Sequence, residues 1–281
     1  MNTLLNERNN PKLNKHLFGI FPALLLLITC DFGGSDKKGV APSPYVPTEY
    51  SLYWSDEFNY QGLPDPSKWN FDTWGNSIGW GNNELQHYTS GLTENAEIRN
   101  GMLHITALKK SISGKNYTSA RLSSVNQYKY GYYEVRAKMP GGQGTWPALW
   151  MTGTYWPENG EIDLLEHFDG KNTLAASNIH WGNDSYHGQA GPAYQNVPTM
   201  CTDFHIYWLR WEAGSIEIGV DSTTVLQAAK PAGAGTDRWA FDTYAENIIL
   251  NLAIGGGGGP VDDGIFPRTL EIDYVRIYKK N

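Results

Sequence analysis

The stretch at residues 97–106 reads Glu-Ile-Arg-Asn-Gly-Met-Leu-His-Ile-Thr. Apolar and polar residues alternate on both sides of an Asn-Gly pair, which is typical of two antiparallel strands joined by a tight turn. From residue 50 onward the same alternation recurs in short runs broken by Gly, Asn, Asp and Pro, and helical periodicity is almost absent. Further strands are predicted at residues 131–139, 146–151, 161–168, 175–181, 204–211, 215–220, 248–254 and 270–278. So many strands at this spacing predict an all-β sandwich or jelly roll of antiparallel sheets.

Composition limits the class of protein. The chain has 281 residues, with 22 Lys and Arg against 29 Asp and Glu, and a formal net charge of −7. This charge argues against a nucleic-acid-binding protein. With 40% hydrophobic and 18% charged residues, the chain is too hydrophobic to be disordered and long enough for one large domain. The 31 Gly, 15 Pro and 13% aromatic residues favour strands and turns over a helical bundle.

Residues 1–29 predict a secretory signal. Three basic residues precede an uncharged run at residues 17–29 that is rich in Leu, Ile and Phe. This run is shorter than the roughly 20 residues of a transmembrane helix. The sequence Leu27-Ile28-Thr29-Cys30 resembles a bacterial lipoprotein processing site, at which Cys30 becomes the lipidated first residue. An ordinary export signal that ends at Cys30 is the alternative.

The segment after the signal predicts a tether. Residues 30–49 mix Gly, Ser, Pro and charge without apolar periodicity, which indicates a flexible linker. We therefore expect an exported outer-membrane or cell-surface lipoprotein, rather than a secreted or periplasmic protein, that is a monomer and contacts the membrane only through its lipid. Residues 50–281 form one domain. Within it Cys201 has no neighbouring base in the sequence, which predicts a buried core residue rather than a reactive thiol.

Three acids lie in one otherwise apolar strand, Gly160-Glu161-Ile162-Asp163-Leu164-Leu165-Glu166-His167. Strand parity places Glu161 and Asp163 on one face and Glu166 on the other. One extra residue around Leu164 and Leu165, absorbed as a β-bulge, restores all three acids to one side. The sequence therefore predicts a bulge there, with the acids facing a common cleft.

The acids suggest a particular chemistry. Two carboxyl groups about 5 to 5.5 Å apart suit a retaining glycosidase, in which one is the nucleophile and the other the general acid/base. A third acid between them should raise the proton affinity of its neighbours, so that one carboxyl stays protonated near neutral pH while another is ionised. Flanking aromatic residues favour sugar rings as ligands. A solvated edge strand, or a metal site built from the three acids, is the alternative.

This strand resembles the E-x-D-x-x-E signature of glycoside hydrolase family 16, in the bulged form of laminarinases and agarases rather than the E-x-D-x-E form of bacterial lichenases. The resemblance covers about residues 50–279 and is to the laminarinase-like branch. Further matching segments are 54–58 (WSDEF), 79–86 (GWGNNELQ), 117–121 (YTSAR), 130–136 (YGYYEVR), 144–151 (GTWPALWM), 250–256 (LNLAIGG) and 271–278 (EIDYVRIY).

The resemblance implies a concanavalin-like jelly roll whose concave sheet forms an open cleft for a polysaccharide. It also implies endo-hydrolysis of β-1,3-glucosidic bonds in β-glucans such as laminarin, with retention of configuration. Glu161 would attack the anomeric carbon, Glu166 would protonate the leaving oxygen and later activate water, and Asp163 would tune the nucleophile. No cofactor is required for this chemistry.

Three tryptophans are the implied stacking platforms. Trp80, Trp146 and Trp150 would contact pyranose rings, because the flat apolar face of an indole matches the C–H face of a sugar. Core packing is the alternative for each. The chain departs from the family at Gly255 to Gly259, where many laminarinases carry a Trp, which puts strict laminarin specificity in doubt.

Polar substrate contacts are implied in the same way. Asn82, Glu84, Arg121 and Asn251 lie where the family contacts sugar hydroxyls, with structural hydrogen bonds as the alternative. His180 falls where the family places a polar residue near the reacting ring, although a packed histidine is an equal alternative.

The resemblance further implies a structural calcium ion on the convex face. Its ligands would be Glu57 of the first strand, the backbone carbonyl of Gly101 and Asp273 of the last strand. Oxygen ligands from separate strands suit calcium, whose role would be stability. The alternative is that both acids are ordinary surface residues.

Other functions stay open. Among enzymes these are hydrolysis of mixed-linkage β-1,3-1,4-glucan or of agar-type galactans, and transglycosylation. A non-catalytic carbohydrate-binding surface lipoprotein on the same fold is the alternative of another class, but the three intact acids argue against it. The G-x-S-x-G match at residues 75–79 lacks the flanking strand and helix that a serine hydrolase requires. Zinc, redox and nucleotide-binding motifs are absent from the sequence.

Overall fold

The computed structural model of the protein describes residues 43–168 and 173–281. The strands in these ranges are β1 (Tyr50–Asp56), β2 (Trp69–Phe71), β3 (Gln86–Tyr88), β4 (Ala96–Arg99), β5 (Met102–Ala107), β6 (Tyr117–Ser119), β7 (Arg121–Ser124), β8 (Gly131–Lys138), β9 (Thr145–Thr152), β10 (Glu161–Glu166), β11 (Leu174–Asn183), β12 (Tyr186–Asn196), β13 (His205–Glu212), β14 (Ser215–Val220), β15 (Thr223–Ala229), β16 (Asn247–Ile254) and β17 (Arg268–Lys280). Short 3-10 helices span Asn76–Gly81, Ala240–Asp242, Gly256–Gly258 and Asp263–Ile265. In the described ranges no helix is long and apolar enough to cross a membrane.

Two antiparallel sheets enclose the core. The sheet that contains β10, called the cleft sheet below, has the order β12-β11-β10-β9-β16-β7-β2. The other, the back sheet, has the order β15-β14-β13-β8-β17-β5-β4, with β1 paired to β17. Strands β3 and β6 form a separate parallel pair. Neighbours distant in sequence, such as β9 and β16, give the crossed connections of a jelly roll, which confirms the predicted fold class.

The hairpin formed by β4 and β5 has the predicted turn. Arg99 pairs with Met102, and the two residues between them, Asn100 and Gly101, have φ angles of 54° and 74°. Two consecutive positive φ values are those of a type I′ turn, which Asn-Gly adopts at little steric cost. The turn therefore sets the register of the first pair of strands in the back sheet.

Alternate residues of both sheets fill the space between them. Leu149 and Met151 of β9 meet the core from the cleft sheet, and Tyr133 and Val135 of β8 meet it from the back sheet. Cys201 packs half-buried against this core, and burial raises the pKa of its thiol to about 11. This is the packing role that the sequence predicts.

The packed part of the chain begins before residue 50. Ser43 is buried, and Tyr45 and Val46 pack on an aromatic cluster separate from the core. The cluster consists of Tyr50, Tyr132, Trp208 and Tyr278. The last residues of the predicted linker therefore belong to the folded body. The predicted signal and Cys30 lie outside the described residues.

A buried carboxyl lies just before β16. Glu246 is fully buried, and within residues 43–168 and 173–281 neither of its carboxyl oxygens has a hydrogen-bond partner. It lies close to the start of β10, because a Cβ on Gly160 would come within 3.0 Å of Glu246 Oε1. Burial, and then repulsion from Glu161, raises the pKa of Glu246 well above its ordinary value. The folded protein therefore favours the protonated, uncharged form.

Replacing this residue, Glu246→Gln, should stabilise the protein increasingly as pH rises. The raised folded-state pKa means that the carboxyl's contribution to stability is fully present below the unfolded pKa of about 4.3 and is lost as pH rises towards the folded pKa. Glutamine does not titrate. We expect the free energy of unfolding of the variant to gain about 1 kcal/mol or more on wild type between about pH 5 and about pH 8, measured by denaturant unfolding.

The control is Glu94→Gln, which removes an exposed carboxylate paired with Lys110. The difference in the free energy of unfolding between Glu94→Gln and wild type should change little with pH. If the free energy of unfolding of Glu246→Gln differed from that of wild type by the same amount at about pH 5 and at about pH 8, the assignment of a protonated buried carboxyl would be contradicted.

Candidate active site

The bulge predicted in β10 is present. Asp163 pairs with Trp150 and Leu165 with Leu149, so that Leu164 has no counterpart on β9. The carbonyl oxygen of Leu164 instead accepts a hydrogen bond of 3.0 Å from Ser177 Oγ on β11. The extra residue shifts the strand by one position, which turns the side chain after it to the opposite face.

The bulge brings the three acids into one cleft of about 740 Å³. Ile162, Leu164 and Leu165 are buried towards the core, while Glu161, Asp163 and Glu166 line the cleft. The eight residues predicted to contact substrate line the same cleft: Trp80, Asn82, Glu84, Arg121, Trp146, Trp150, His180 and Asn251. The structure thus collects, in one place, residues that are up to 171 positions apart in the sequence.

Burial raises the proton affinity of all three acids. It raises the pKa of Glu161 to about 7, with a nearby Arg121 charge and a hydrogen bond from Trp156 acting in the opposite direction. It raises the pKa of Glu166 to about 8, to which repulsion from Glu161 contributes. The pKa of Asp163 is raised well above its ordinary value by burial and by repulsion from the acids around it. Near neutral pH the cleft can therefore hold an ionised Glu161 beside a protonated Glu166.

The contacts of the carboxyl groups differ. Glu166 Oε1 accepts a hydrogen bond of 3.1 Å from Trp146 Nε1. Asp163 Oδ2 is buried and, among the described residues, has no hydrogen-bond partner. His180 Nε2 is 3.7 Å from both this oxygen and Glu161 Oε1. These unequal surroundings give the three acids different roles in any proton transfer.

The tautomer of His180 follows from its neighbours. Asn178 Oδ1 accepts the backbone N–H of Ile179 at 3.1 Å, so Asn178 Nδ2 is the group that donates to His180 Nε2 at 2.7 Å. The ring proton is then on Nδ1, which donates to His187 Nε2 at 3.1 Å. Burial, and then the nearby His187, lowers the pKa of His180 to about 4. A neutral imidazole therefore faces Glu161 and Asp163.

The same geometry could hold a metal ion. Ligand atoms of Glu161, Asp163 and His180 lie within 4.8 Å of one another. Two features favour a sugar instead. The raised pKa values favour protonated carboxyls, which are poor metal ligands, and tryptophan side chains line the rest of the cleft.

Arg121 joins two of the predicted tryptophans. Its guanidinium carbon lies 4.5 Å from the ring centre of Trp80 and 4.7 Å from that of Trp150, and Asp72 pairs with it at 3.2 Å. The Trp80 ring also contacts Gly75, at which a Cβ would come within 2.4 Å. Trp80 is therefore well packed. This packing favours a role as part of the cleft wall over a role as an open surface on which a sugar stacks.

The glycine-rich loop after β16 packs on Trp146. A Cβ at Gly256 would come within 3.0 Å of the Trp146 ring and one at Gly257 within 2.8 Å, while Phe168 lies beside Trp146 with ring centres 5.7 Å apart. Larger side chains at these two positions would displace Trp146. The departure from the family at this loop thus has a steric reason, and Phe168 supplies an aromatic neighbour there.

The remaining polar residues predicted to contact substrate form hydrogen bonds with one another or with neighbouring side chains. Asn251 Oδ1 accepts from Trp150 Nε1 at 2.7 Å, and its amide donates to the Tyr88 hydroxyl at 3.1 Å. Glu84 is buried and accepts hydrogen bonds from Asn82 and Gln86. Both residues line the cleft, but part of their hydrogen-bonding capacity holds the cleft wall.

The predicted calcium ligands carry other partners. The Glu57 carboxylate accepts two hydrogen bonds from Arg276, at 2.9 and 2.8 Å, and the Asp273 carboxylate pairs with Arg136. Each of the two carboxylates is thus paired with a guanidinium in this structure. Calcium binding stays a prediction of the resemblance.

Sequence reasoning missed several residues of the cleft. Trp74 is 72% exposed and lies beside Trp80, with ring centres 4.7 Å apart. Trp156 is 54% exposed and hydrogen-bonded to Glu161, and Phe168 and Asn178 complete the set. Trp74 and Trp156 lie in loops, where no alternation marks a face. Asn178, two residues before His180 on one strand, could have been found by parity.

Comparison with known proteins gives the same picture. Residues 82–274 match the model of the family Glycosyl hydrolases family 16. The chain is 40% identical over 288 residues to a β-glucanase of Rhodothermus marinus, which covers 95% of this chain and 96% of that protein. The crystal structure of SCLam, a non-specific endo-β-1,3(4)-glucanase from family GH16, matches with a TM-score of 0.79 at 40% identity, over 84% of this chain and 93% of SCLam. A LamA variant from Zobellia galactanivorans, in complex with laminaritriose and laminaritetraose, matches with a TM-score of 0.73 at 36% identity, over 82% and 99% of the two chains.

Deletion of Leu164 tests the role of the bulge. Without it, Asp163, Leu165 and Glu166 face three consecutive residues of β9, and normal strand parity keeps all three acids on one face. We expect a folded variant with the acids still in the cleft, less stable by about 2–5 kcal/mol through loss of a buried Leu side chain. Denaturant unfolding and a crystal structure of the variant measure both outcomes.

Leu164→Ala is the matched variant, since it removes most of the same side chain but keeps the extra residue. It should lose similar stability and retain the bulge. A deletion variant in which Glu166 points into the core would refute this account of the strand.

Proposed function

Because the chain belongs to glycosyl hydrolase family 16 and is a glycosidase, we propose that it cleaves β-1,3-glucosidic bonds inside β-glucans such as laminarin, with retention of configuration. The observation that carries this proposal is the set of three acids turned by the β10 bulge into one aromatic-lined cleft. An open cleft that crosses several strands suits cleavage within a chain.

Each carboxyl has a role in the two steps of retention. Ionised Glu161 attacks the anomeric carbon, while protonated Glu166 gives its proton to the departing glycosidic oxygen, so that the C–O bond breaks as the bond to Glu161 forms. Glu166, now ionised, takes a proton from water, whose oxygen attacks the anomeric carbon and releases Glu161. Burial and repulsion from Glu161 raise the pKa of Glu166, while the Arg121 charge opposes the rise in the pKa of Glu161 that burial causes, and this difference in surroundings matches the division of roles.

Asp163 acts on the charge balance between them. Its raised pKa favours a protonated group, which places no third negative charge beside Glu161 and Glu166. Neutral His180 faces Glu161 and Asp163 without adding a positive charge that would hold Asp163 ionised. Glu161 can then stay ionised while Glu166 gives up its proton and takes one back from water.

Mixed-linkage β-1,3-1,4-glucan is the second candidate substrate. Support comes from SCLam, a non-specific endo-β-1,3(4)-glucanase, and from the all-glycine loop, which itself adds no side chain to the cleft. Agar-type galactans have no comparable support. The substrate is therefore proposed as a β-glucan with at least some β-1,3 linkages.

We also propose that the enzyme works outside the cytoplasm as a lipoprotein. The support is the sequence alone: a charged start, an apolar run at residues 17–29 and a Cys30 at the processing position. Metabolic labelling with a fatty-acid analogue should mark wild type and not Cys30→Ser.

The substrate proposal is tested by release of reducing ends from laminarin, mixed-linkage β-glucan and agarose. We expect release from laminarin at least as fast as from the other two, and Glu161→Ala should reduce it by about a thousandfold or more, because the covalent step is lost. The variant should still bind laminarin in affinity electrophoresis. Glu94→Ala, which changes an exposed acid away from the cleft lining, should match wild type.

Folded protein that releases nothing from any of the three polysaccharides would contradict the β-glucanase proposal. Release from agarose alone would move the substrate to the galactans.

The charge of Arg121 should set the acid limb of the pH profile. Its positive charge lowers the pKa of Glu161, and loss of the charge should raise that pKa. Since activity falls as Glu161 becomes protonated, Arg121→Met should move the acid limb of log kcat/KM to higher pH and narrow the active range. Arg121→Lys keeps the charge and should leave the limb near its wild-type position, whatever its effect on KM. An unmoved limb in Arg121→Met would show that Arg121 does not act on Glu161.

A further inference from the structure

One line of paired residues crosses the cleft sheet at the acid. From β7 to β12 its members are Arg121, Asn251, Ala148, Glu166, Ala176 and Tyr194. We call this line the Glu166 row. Directly paired residues of neighbouring strands project to the same face of a sheet, so these side chains are on the cleft face. A polysaccharide lying across the strands would follow the row.

The two halves of the row differ. On the β9 side, Asn251 and Arg121 are 5% and 9% exposed and bonded to Trp150 and Asp72. On the β11 side, Ala176 is fully buried and offers only a methyl group, while Tyr194 beyond it is 56% exposed. On the β11 side the first exposed side chain of the row after Glu166 is therefore the aromatic ring of Tyr194.

A second bulge, in β12, turns the side chain of Tyr194 to the cleft face of the sheet. Ser177 pairs with Ala193 and Ile179 with Ala190, so β12 contains one more residue than β11 at this point. Ala190 and Ala193 both pack towards the core, although their numbers have opposite parity. Gly191 is required there: its φ is 107°, and a Cβ would come within 2.7 Å of the Ser177 carbonyl oxygen. Without the extra residue Tyr194 would face the core.

We propose that Tyr194 is the stacking platform for the second glucosyl unit of the departing half of the substrate. The proposal rests on the proposed function. Tyr194 is two strands from Glu166, a spacing of about 10 Å, comparable with the length of a disaccharide. The first departing unit spans the distance between Glu166 and Tyr194, and the C–H face of the second lies on the phenol ring, the same kind of contact that aromatic rings make with other flat apolar surfaces.

The difference between the two halves of the Glu166 row assigns the β11 and β12 side to the departing half of the substrate. In a retaining mechanism one half of the substrate stays bonded to Glu161 while the other leaves and water enters. The buried, hydrogen-bonded β9 side suits the half that stays. The exposed β12 edge, with a single flat ring, suits a half that must dissociate or be replaced by an acceptor.

The test compares two kinds of substrate in wild type and Tyr194→Ala. In an aryl β-laminaribioside the aryl group replaces the departing sugars, so cleavage of this substrate does not use Tyr194. Cleavage of laminarin oligosaccharides does use Tyr194 when they are long enough to extend two units past the cleaved bond. We expect the ratio of kcat/KM for the long substrate to that for the aryl substrate to fall about 3- to 10-fold in Tyr194→Ala, as for the loss of one aromatic contact. Tyr194→Phe should retain most of the ratio. Tyr53→Ala, which removes a 64% exposed tyrosine from β1 of the back sheet, should leave it unchanged.

Two further measurements separate this proposal from its premise. At high oligosaccharide concentration, Tyr194→Ala should make fewer transglycosylation products per hydrolysis event, because an acceptor sugar uses the same platform. In a Glu161→Ala background, calorimetry should show weaker binding of long oligosaccharides when Tyr194 is also replaced, whether or not the wild-type enzyme cleaves laminarin. Laminarin cleavage by wild type tests the proposed function separately.

An unchanged ratio together with unchanged affinity in the inactive background would overturn the platform. An equal fall for the aryl and the long substrate would also overturn it, since that result would indicate a structural role for Tyr194.

Discussion

The placement of three acids in one cleft depends on one extra residue in β10. A strand alternates its side chains with a period of two, and the spacing from Glu161 to Glu166 is odd, so a regular strand would send one of these acids into the core. Leu164 corrects the parity, and Ser177 satisfies the carbonyl that the bulge leaves without a strand partner. Because the residues before and after the bulge stay in register with β9, the core below it keeps its packing while the acids above it share one cleft.

The chemistry then follows from burial rather than from a charged partner. Desolvation is the first cause of the raised pKa of all three acids, with mutual repulsion as a further cause for two of them. The cleft sheet tolerates these buried acids because β10 is paired with a strand on each side and the sheet packs on a large apolar core. Glu246 meets the same condition below the cleft: burial and then repulsion from Glu161 raise its pKa, and a charge on Glu246 would add to the repulsion that raises the pKa of Asp163. Such groups oppose stability at neutral pH, as buried functional acids commonly do.

Much of this could be predicted from the sequence. The Asn-Gly hairpin, eight further strands and the bulge follow from alternation and parity, because apolar residues recur on the core face of these strands. Strand β12 escaped detection because it is an edge strand, with exposed residues at most positions, and its own bulge breaks the alternation. The ion pairs Glu57–Arg276 and Asp273–Arg136 could not be predicted either, since strand order, not sequence distance, places an arginine beside each acid. Loop aromatics such as Trp74 carry no periodicity, so only the folded chain shows which of the tryptophans reach the cleft.

The glycine-rich loop shows how a departure from the family pattern is linked to the acid. Trp146 donates to Glu166 Oε1, and its ring is fixed by the backbone of Gly256 and Gly257 and by Phe168. A larger side chain at Gly256 or Gly257 would need the space that the Trp146 ring occupies. If Trp146 moved, Glu166 would lose its hydrogen-bond donor, and the pKa of the acid would rise, because that bond favours the ionised form. The absence of side chains at these two positions is therefore more than a missing wall of the cleft: it keeps Trp146 in place as the hydrogen-bond donor to Glu166.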